Sequence, residues 1–218
     1  YMVNTVDWVY TRISCGEKKL DLAKSNFSDF YRELDLRTGV LTRRFVWEID
    51  PETAVELCFE RFTSMAQEQY VGQKITFRAV KGSPCLCVRV GLDFTCPHVS
   101  VGSAMFAPLH QSAGENRAEI LAETKNSKQQ VWAGAVFKGL ENAEDASSEG
   151  IAALETILAL KPGQEKSVER VVFLLTAKTE ERKASMEARC TDAREALRRV
   201  NYEMLKQESA DWWQRQWQ

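Results

Sequence analysis

The hydrophobic period changes near Lys178, and that change constrains the chain more than any other feature. Up to about residue 175, apolar residues alternate or run in short blocks with turn residues between them. Val55 to Phe62 is the clearest case, with Val55, Leu57 and Phe59 set against Glu56, Cys58 and Glu60. That is the period-two pattern of a half-buried strand. Thr42 to Ile49 (TRRFVWEI) is rich in β-branched and aromatic residues and lies between two turn-like tripeptides, Arg37-Thr38-Gly39 and Asp50-Pro51-Glu52. Tyr70 to Val80 and Cys85 to Val90 read as two more strands joined through Lys81-Gly82-Ser83-Pro84. Ala118–Thr124, Gln130–Lys138, Glu155–Leu160 and Val168–Thr176 continue the series. Between the last two, Lys161-Pro162-Gly163-Gln164 fits a turn, because proline presets one φ angle and glycine supplies the positive one. Many short strands at this spacing predict a sandwich or barrel rather than a βαβ fold. Residues 98–117 and 141–154 lack the pattern and are expected to be loop and exposed connection.

From Lys178 to Gln207 there is no Gly or Pro, and Glu, Arg, Lys and Ala dominate. These are good helix formers. Met186, Cys190, Ala193, Leu197, Val200 and Met204 make a narrow stripe at helical period. Cys and Ala are weak coiled-coil knobs, so the stripe predicts a single helix laid against a neighbouring domain. Three tryptophans follow, Trp212, Trp213 and Trp217. Trp213 and Trp217 share a helix face, which suits an anchor on that neighbour better than a sugar-stacking platform. The chain opens on Tyr1-Met2 and closes in this aromatic cluster, so both ends are read as cut.

The 218 residues are 44% hydrophobic and 28% charged, ordinary values for a soluble domain large enough to fold without staples. A net charge of −2, with the basic pairs Arg43–Arg44 and Arg198–Arg199 far apart, leaves no footprint for nucleic acid. No apolar run is long enough for a membrane helix. The six cysteines form no small-scaffold framework, and reduced thiols in a cytoplasmic protein are expected.

Cys85, Cys87, Cys96 and His98 place four zinc-type ligands within fourteen residues. Against a zinc-binding β domain, Cys85 and Cys87 alternate with Leu86 and Val88 and read as buried small hydrophobes in a sheet. His110, the second of two histidines, reads as a loop residue. No nucleophile elbow and no glycine-rich phosphate loop is present. Acidic residues are plentiful, but nothing selects a glycosidase pair. No catalytic, substrate-binding or metal residue and no cofactor is therefore nominated.

The segment Ser28-Asp-Phe-Tyr-Arg-Glu-Leu-Asp-Leu-Arg-Thr-Gly-Val-Leu-Thr-Arg-Arg-Phe45 resembles the signature near the start of glycoside hydrolase family 65, which includes maltose, trehalose, kojibiose and nigerose phosphorylases. Phe59-Glu-Arg-Phe-Thr-Ser-Met-Ala66 resembles the family's R-F-x-S-M strand end, and Leu160 to Arg170 its P-G turn. Arg170 stands where the family often has Lys, and Ser209 where it often has His. The resemblance implies a large two-sheet antiparallel β-sandwich of the galactose-mutarotase-like type over residues 1–176. A helical linker over 177–218 would lead to an (α/α)₆ catalytic barrel that carries the general acid and the phosphate site. It implies an inverting α-glucoside phosphorylase or hydrolase. The partners would be its own barrel, a disaccharide and inorganic phosphate through that barrel, and a second copy in a homodimer. A stand-alone carbohydrate-binding or interaction module is the competing expectation.

Overall fold

The computed structural model describes residues 4–218, so the Tyr1-Met2 start lies outside the described residues. The strands run in chain order as β1 (Thr11–Cys15), β2 (Lys18–Lys19), β3 (Phe27–Asp35), β4 (Val40–Asp50), β5 (Thr53–Thr63), β6 (Tyr70–Lys81) and β7 (Cys85–Asp93). They continue as β8 (Phe106–Gly114), β9 (Arg117–Thr124), β10 (Gln130–Lys138), β11 (Glu144–Asp145), β12 (Ile151–Ala159) and β13 (Glu165–Ala177). Three helices follow, α1 (Glu180–Ala184), α2 (Met186–Leu197) and α3 (Tyr202–Gln216). Five strands form one sheet in the order β11-β12-β7-β1-β2, and eight form the other in the order β3-β4-β5-β6-β13-β10-β9-β8. Each pairing is antiparallel. The expected two-sheet sandwich is therefore present.

The sequence sets the layers through alternation. Along β7, Leu86, Val88, Val90 and Leu92 are buried between the sheets, while Cys85 is exposed and Cys87 half-buried. Phe45 and Trp47 on β4, Leu57 on β5, and Ile75 and Phe77 on β6 meet them from the larger sheet. The middle of the larger sheet is different. On β13, Val168 and Val172 face the smaller sheet, whereas Val171 and Phe173 face the other way. On β10, Val131, Ala133, Ala135 and Phe137 face inward and Trp132 faces outward. Strands covered on both faces read as near-continuous apolar runs, which is what VERVVFLL is.

The helices cover that second face. Met186, Cys190, Ala193 and Leu197 of α2 and Tyr202 and Leu205 of α3 pack with Phe62, Tyr70, Trp132, Val171 and Phe173 in a separate core. The neighbour of the predicted stripe is thus the sandwich's own larger sheet. One continuous helix was expected, and the chain instead breaks before Asn201. That residue is extended (φ −137°, ψ 168°), and its side chain accepts a hydrogen bond from Met204 N at 2.9 Å. An asparagine cap of this kind starts a helix rather than continuing one. The break turns the buried face from the Leu197 line to Tyr202, Leu205, Ser209 and Ala210.

Two expected loops contain strands. β8 lies within 98–117, and β11 and the first residues of β12 lie within 141–154. β8 is the last strand of its sheet, mostly wet, and carries Pro108 next to a register shift. An edge strand tolerates that composition, so it lacks a readable alternation. At the opposite edge, β3 is exposed along most of its length and is interrupted by a bulge between Ser28 and Tyr31, with Asp29 at φ 52°. No helix among the described residues is long and apolar enough to cross a membrane.

Leu205 is fully buried against the sheet. Leu205→Ala is expected to cost about 2–5 kcal/mol in urea denaturation, in one transition that includes the strands. Two separate transitions would show that the helices are not part of the sandwich's cooperative unit.

Candidate functional site

The β3–β4 turn is built by one aspartate. Asp35 accepts from Gly39 N at 2.8 Å through its carbonyl, from Arg37 N at 2.9 Å through Oδ1, and from Thr38 Oγ1 at 2.7 Å through Oδ2. The Thr38 hydroxyl, and then the Arg37 amide, hold the Asp35 carboxyl below its ordinary range. Gly39 completes the turn at φ +70°, a left-handed conformation that favours glycine. A second reason for glycine comes from the other end of the chain, because a Cβ here would fall inside the indole of Trp213. Trp217 Nε1 donates to Leu36 O at 2.9 Å, and Trp212 packs edge-on against Trp213. The tryptophans therefore close on the turn of their own chain.

One turn earlier, α3 meets the end of β5. Ser209, 1% exposed, accepts from Met65 N at 3.3 Å and donates to Thr63 O at 3.4 Å. Gln67 Nε2 donates to Glu208 at 2.8 Å, and Lys206 pairs with Glu60 at 3.1 Å. Phe62 stacks edge-on against Tyr202, and Gly72 on β6 leaves room for the Phe62 ring. Two of the sequence segments singled out above are thus the two places where α3 is fastened.

The third segment leads to a buried guanidinium. After the turn at Gly163 (φ +72°), β13 carries Arg170 into the space between the sheets, 1% exposed. Its Nη1 donates to the carbonyls of Trp8, Tyr10 and Gly91 at 2.9, 3.0 and 3.2 Å, and its Nη2 donates to Thr11 Oγ1 at 2.6 Å. Burial pulls its pKa down to about 9, and the Asp7 carboxylate opposes that. Arg170 in this way ties the segment before β1, and β1 itself, to the middle of both sheets.

Beside it, Asp7, Asp93 and Cys96 each bring a donor atom within 4.8 Å of the others. Asp93 accepts from Thr95 N and Oγ1, both at 2.6 Å, and lies 3.7 Å from Cys96 Sγ. Burial, and secondarily Asp93, raises the Asp7 carboxyl, while the Val9 amide bonded to it acts the other way. Burial pushes the Cys96 thiol up to about 11, and the thiol donates to Asp93. The group reads as a hydrogen-bonded anchor for the ends of β7 and the N-terminal segment.

The four zinc-type candidates are not gathered. Cys85 and Cys87 sit at the start of β7 opposite Ala159 and Ile157. Cys96 and His98 follow the far end of that strand, roughly 20 Å away at about 3.3 Å per residue. His98 Nδ1 accepts from Ser100 N at 3.3 Å. Cys85 and Cys87 face outward, opposite to the inward placement expected from their alternation with Leu86 and Val88. His110 is a strand residue on β8 rather than a loop residue, 3.7 Å from Glu119, which Arg194 binds through two nitrogens. Sequence reasoning missed Asp7 and Asp93, which stand 86 positions apart with no local motif around either.

The model of the family described as "Glycosyl hydrolase family 65, N-terminal domain" matches residues 1–216. The chain belongs to that family. Among solved structures, a protein assigned as a kojibiose phosphorylase from the human microbiome superposes with a TM-score of 0.85 at 20% identity. The match covers 97% of this chain and 28% of that protein. A heparan sulfate lyase from Pedobacter heparinus is far more distant, with a TM-score of 0.38 at 9% identity over 79% of this chain and 25% of its own. No curated protein matches at the level of sequence. Within this family 65 domain, Arg170 and Ser209 are both buried and both hydrogen-bonded to backbone.

Gly39→Ala is expected to cost about 1–3 kcal/mol from the positive φ alone, and more in the presence of Trp213. In a Trp213→Ala background the penalty should shrink by about 0.5–3 kcal/mol, read by urea denaturation of the four proteins. An unchanged penalty would show that the indole does not press on the turn. Arg170→Met strips the partner from three carbonyls and should cost about 3–5 kcal/mol, whereas Arg170→Lys restores part of that loss. Equal stabilities of the two variants would refute the anchoring role.

Proposed function

We propose that residues 1–218 are the non-catalytic amino-terminal portion of an inverting α-glucoside phosphorylase or hydrolase that acts on an α-linked glucose disaccharide. The observation that carries this reading is the family match over nearly the whole chain, together with the small share of the 0.85-scoring structure that this chain covers. In an inverting reaction the acid and the attacking phosphate or water act from opposite sides of the sugar, and both must be held on one scaffold. The proposal puts that scaffold in a separate barrel, with disaccharide and inorganic phosphate bound there. The present domain shapes its rim and contributes to a dimer.

The role assigned to residues 177–218 is that of a linker, with the sandwich over 1–176. Its physical support is the way α3 is fastened at both its middle and its last turn, through Ser209 and through Trp213 and Trp217. A linker seated in this way holds the direction of the chain constant relative to the sheets. A cytoplasmic location is part of the same proposal, supported by six free thiols.

An assay of residues 1–218 with kojibiose, maltose and trehalose, with and without inorganic phosphate, is expected to show no turnover. Release of glucose or of a glucose phosphate by the purified domain would overturn the assignment.

A further inference from the structure

The inner face of the larger sheet becomes cationic at one end. The register sets Arg32 on β3 directly opposite Arg43 on β4, and Arg61 on β5 directly opposite Gln73 on β6. These four side chains, with Leu41 and Phe59, line a cavity of about 260 Å³. Like charges set directly across a strand pair repel each other. Four arginines elsewhere are paired with carboxylates: Arg78 with Glu56, Arg89 with Glu155, Arg194 with Glu119 and Arg199 with Glu195. Among the described residues, Arg32, Arg43 and Arg61 are given none.

The cluster is also held in place. The Arg43 guanidinium lies over the Phe59 ring at 4.6 Å and over Phe45 at 5.9 Å, which fixes a planar head that is otherwise free to swing into solvent. Burial lowers its pKa, and the charges of Arg61 and Arg32 lower it further. Gln73 is 4% exposed, and its Oε1 is buried without a partner. A buried amide left unsatisfied costs about 1–3 kcal/mol, so Gln73 has reason to find a ligand or water. The space is far larger than the ~30 Å³ share of one water. Asp7 faces this end from an adjoining cavity, which Arg43 and Arg61 also line, and its carboxylate is engaged by Val9 N.

We propose that this end of the sandwich is a binding site for a phosphate group, carried by inorganic phosphate or by a small phosphate monoester. Arg43 and Arg61 offer paired N–H donors to its oxygens, and Arg32 closes the site from the edge strand. The Gln73 amide, whose two ends are interchangeable by a flip, bonds an oxygen or the hydroxyl of the attached group. Guanidinium forks match the tetrahedral oxyanion better than a halide, so the site discriminates by shape as well as charge.

Calorimetric titration of residues 1–218 with inorganic phosphate, a hexose 6-phosphate and chloride, all at one ionic strength, tests this directly. Saturable heat with phosphate and none with chloride is expected. Tighter binding of the hexose phosphate than of phosphate assigns the ester as the better ligand, and the reverse assigns the free ion. Arg61→Gln should weaken binding about tenfold or more, and Arg32→Gln, at an exposed position, gives a second reading should Arg61→Gln misfold. Arg215→Gln, on the last turn of α3, makes the same charge change outside the site and should leave affinity intact. No saturable heat, or equal losses in Arg32→Gln and Arg215→Gln, overturns the proposal.

Discussion

Burial of the larger sheet on both faces at β10 and β13 governs the rest of the molecule. Antiparallel sheets of small domains usually keep one face wet, and alternation is enough to build them. Here Trp132, Val171 and Phe173 point away from the smaller sheet and would lie bare without a third layer. Each large apolar side chain taken out of water contributes about 1.5–3 kcal/mol. The helices are therefore held by the same force that closes the sandwich. The layer made of α2 and α3 is a structural wall, and its break at Asn201 lets two short helices follow a twisted sheet that one straight helix would leave.

The strands that sequence reading found are those with one face in a core. Val55 to Phe62 and Cys85 to Val90 alternate because water and protein lie on opposite sides of them. β8 was hidden because an edge strand is wet on most of its length and pairs through its backbone alone, which needs no side-chain pattern. The helical stripe was legible down to Leu197, since burial on a sheet imposes the same period as burial on a helix. The cap at Asn201 has a local signal, an asparagine before an apolar run, but the good helix formers around it conceal the interruption.

The motif at the β3–β4 turn was legible only in part, and for a reason of distance. Asp35 to Gly39 reads as a turn from its own residues, because the aspartate, threonine and glycine do their work within the loop. Why glycine is needed twice over depends on Trp213, which is 174 positions away. Arg170 likewise reveals nothing locally, since three of its four partners are backbone groups that any sequence supplies. Long-range contacts to backbone leave no trace in residue type at the accepting end. The same holds for Arg32, Arg43 and Arg61, which read as ordinary strand charges until the register sets them side by side.

The bulge at Asp29 has a consequence for how this domain meets other molecules. β3 carries Phe27, Phe30 and Tyr31 at a free sheet edge, a composition that in an unbroken strand invites a further strand to add on and spread into an aggregate. The bulge interrupts the row of amide and carbonyl groups in the middle of that edge. The rings remain available to a surface of matching shape, but the backbone offers no continuous template. The edge is thus open to recognition through side chains while being closed to polymerisation.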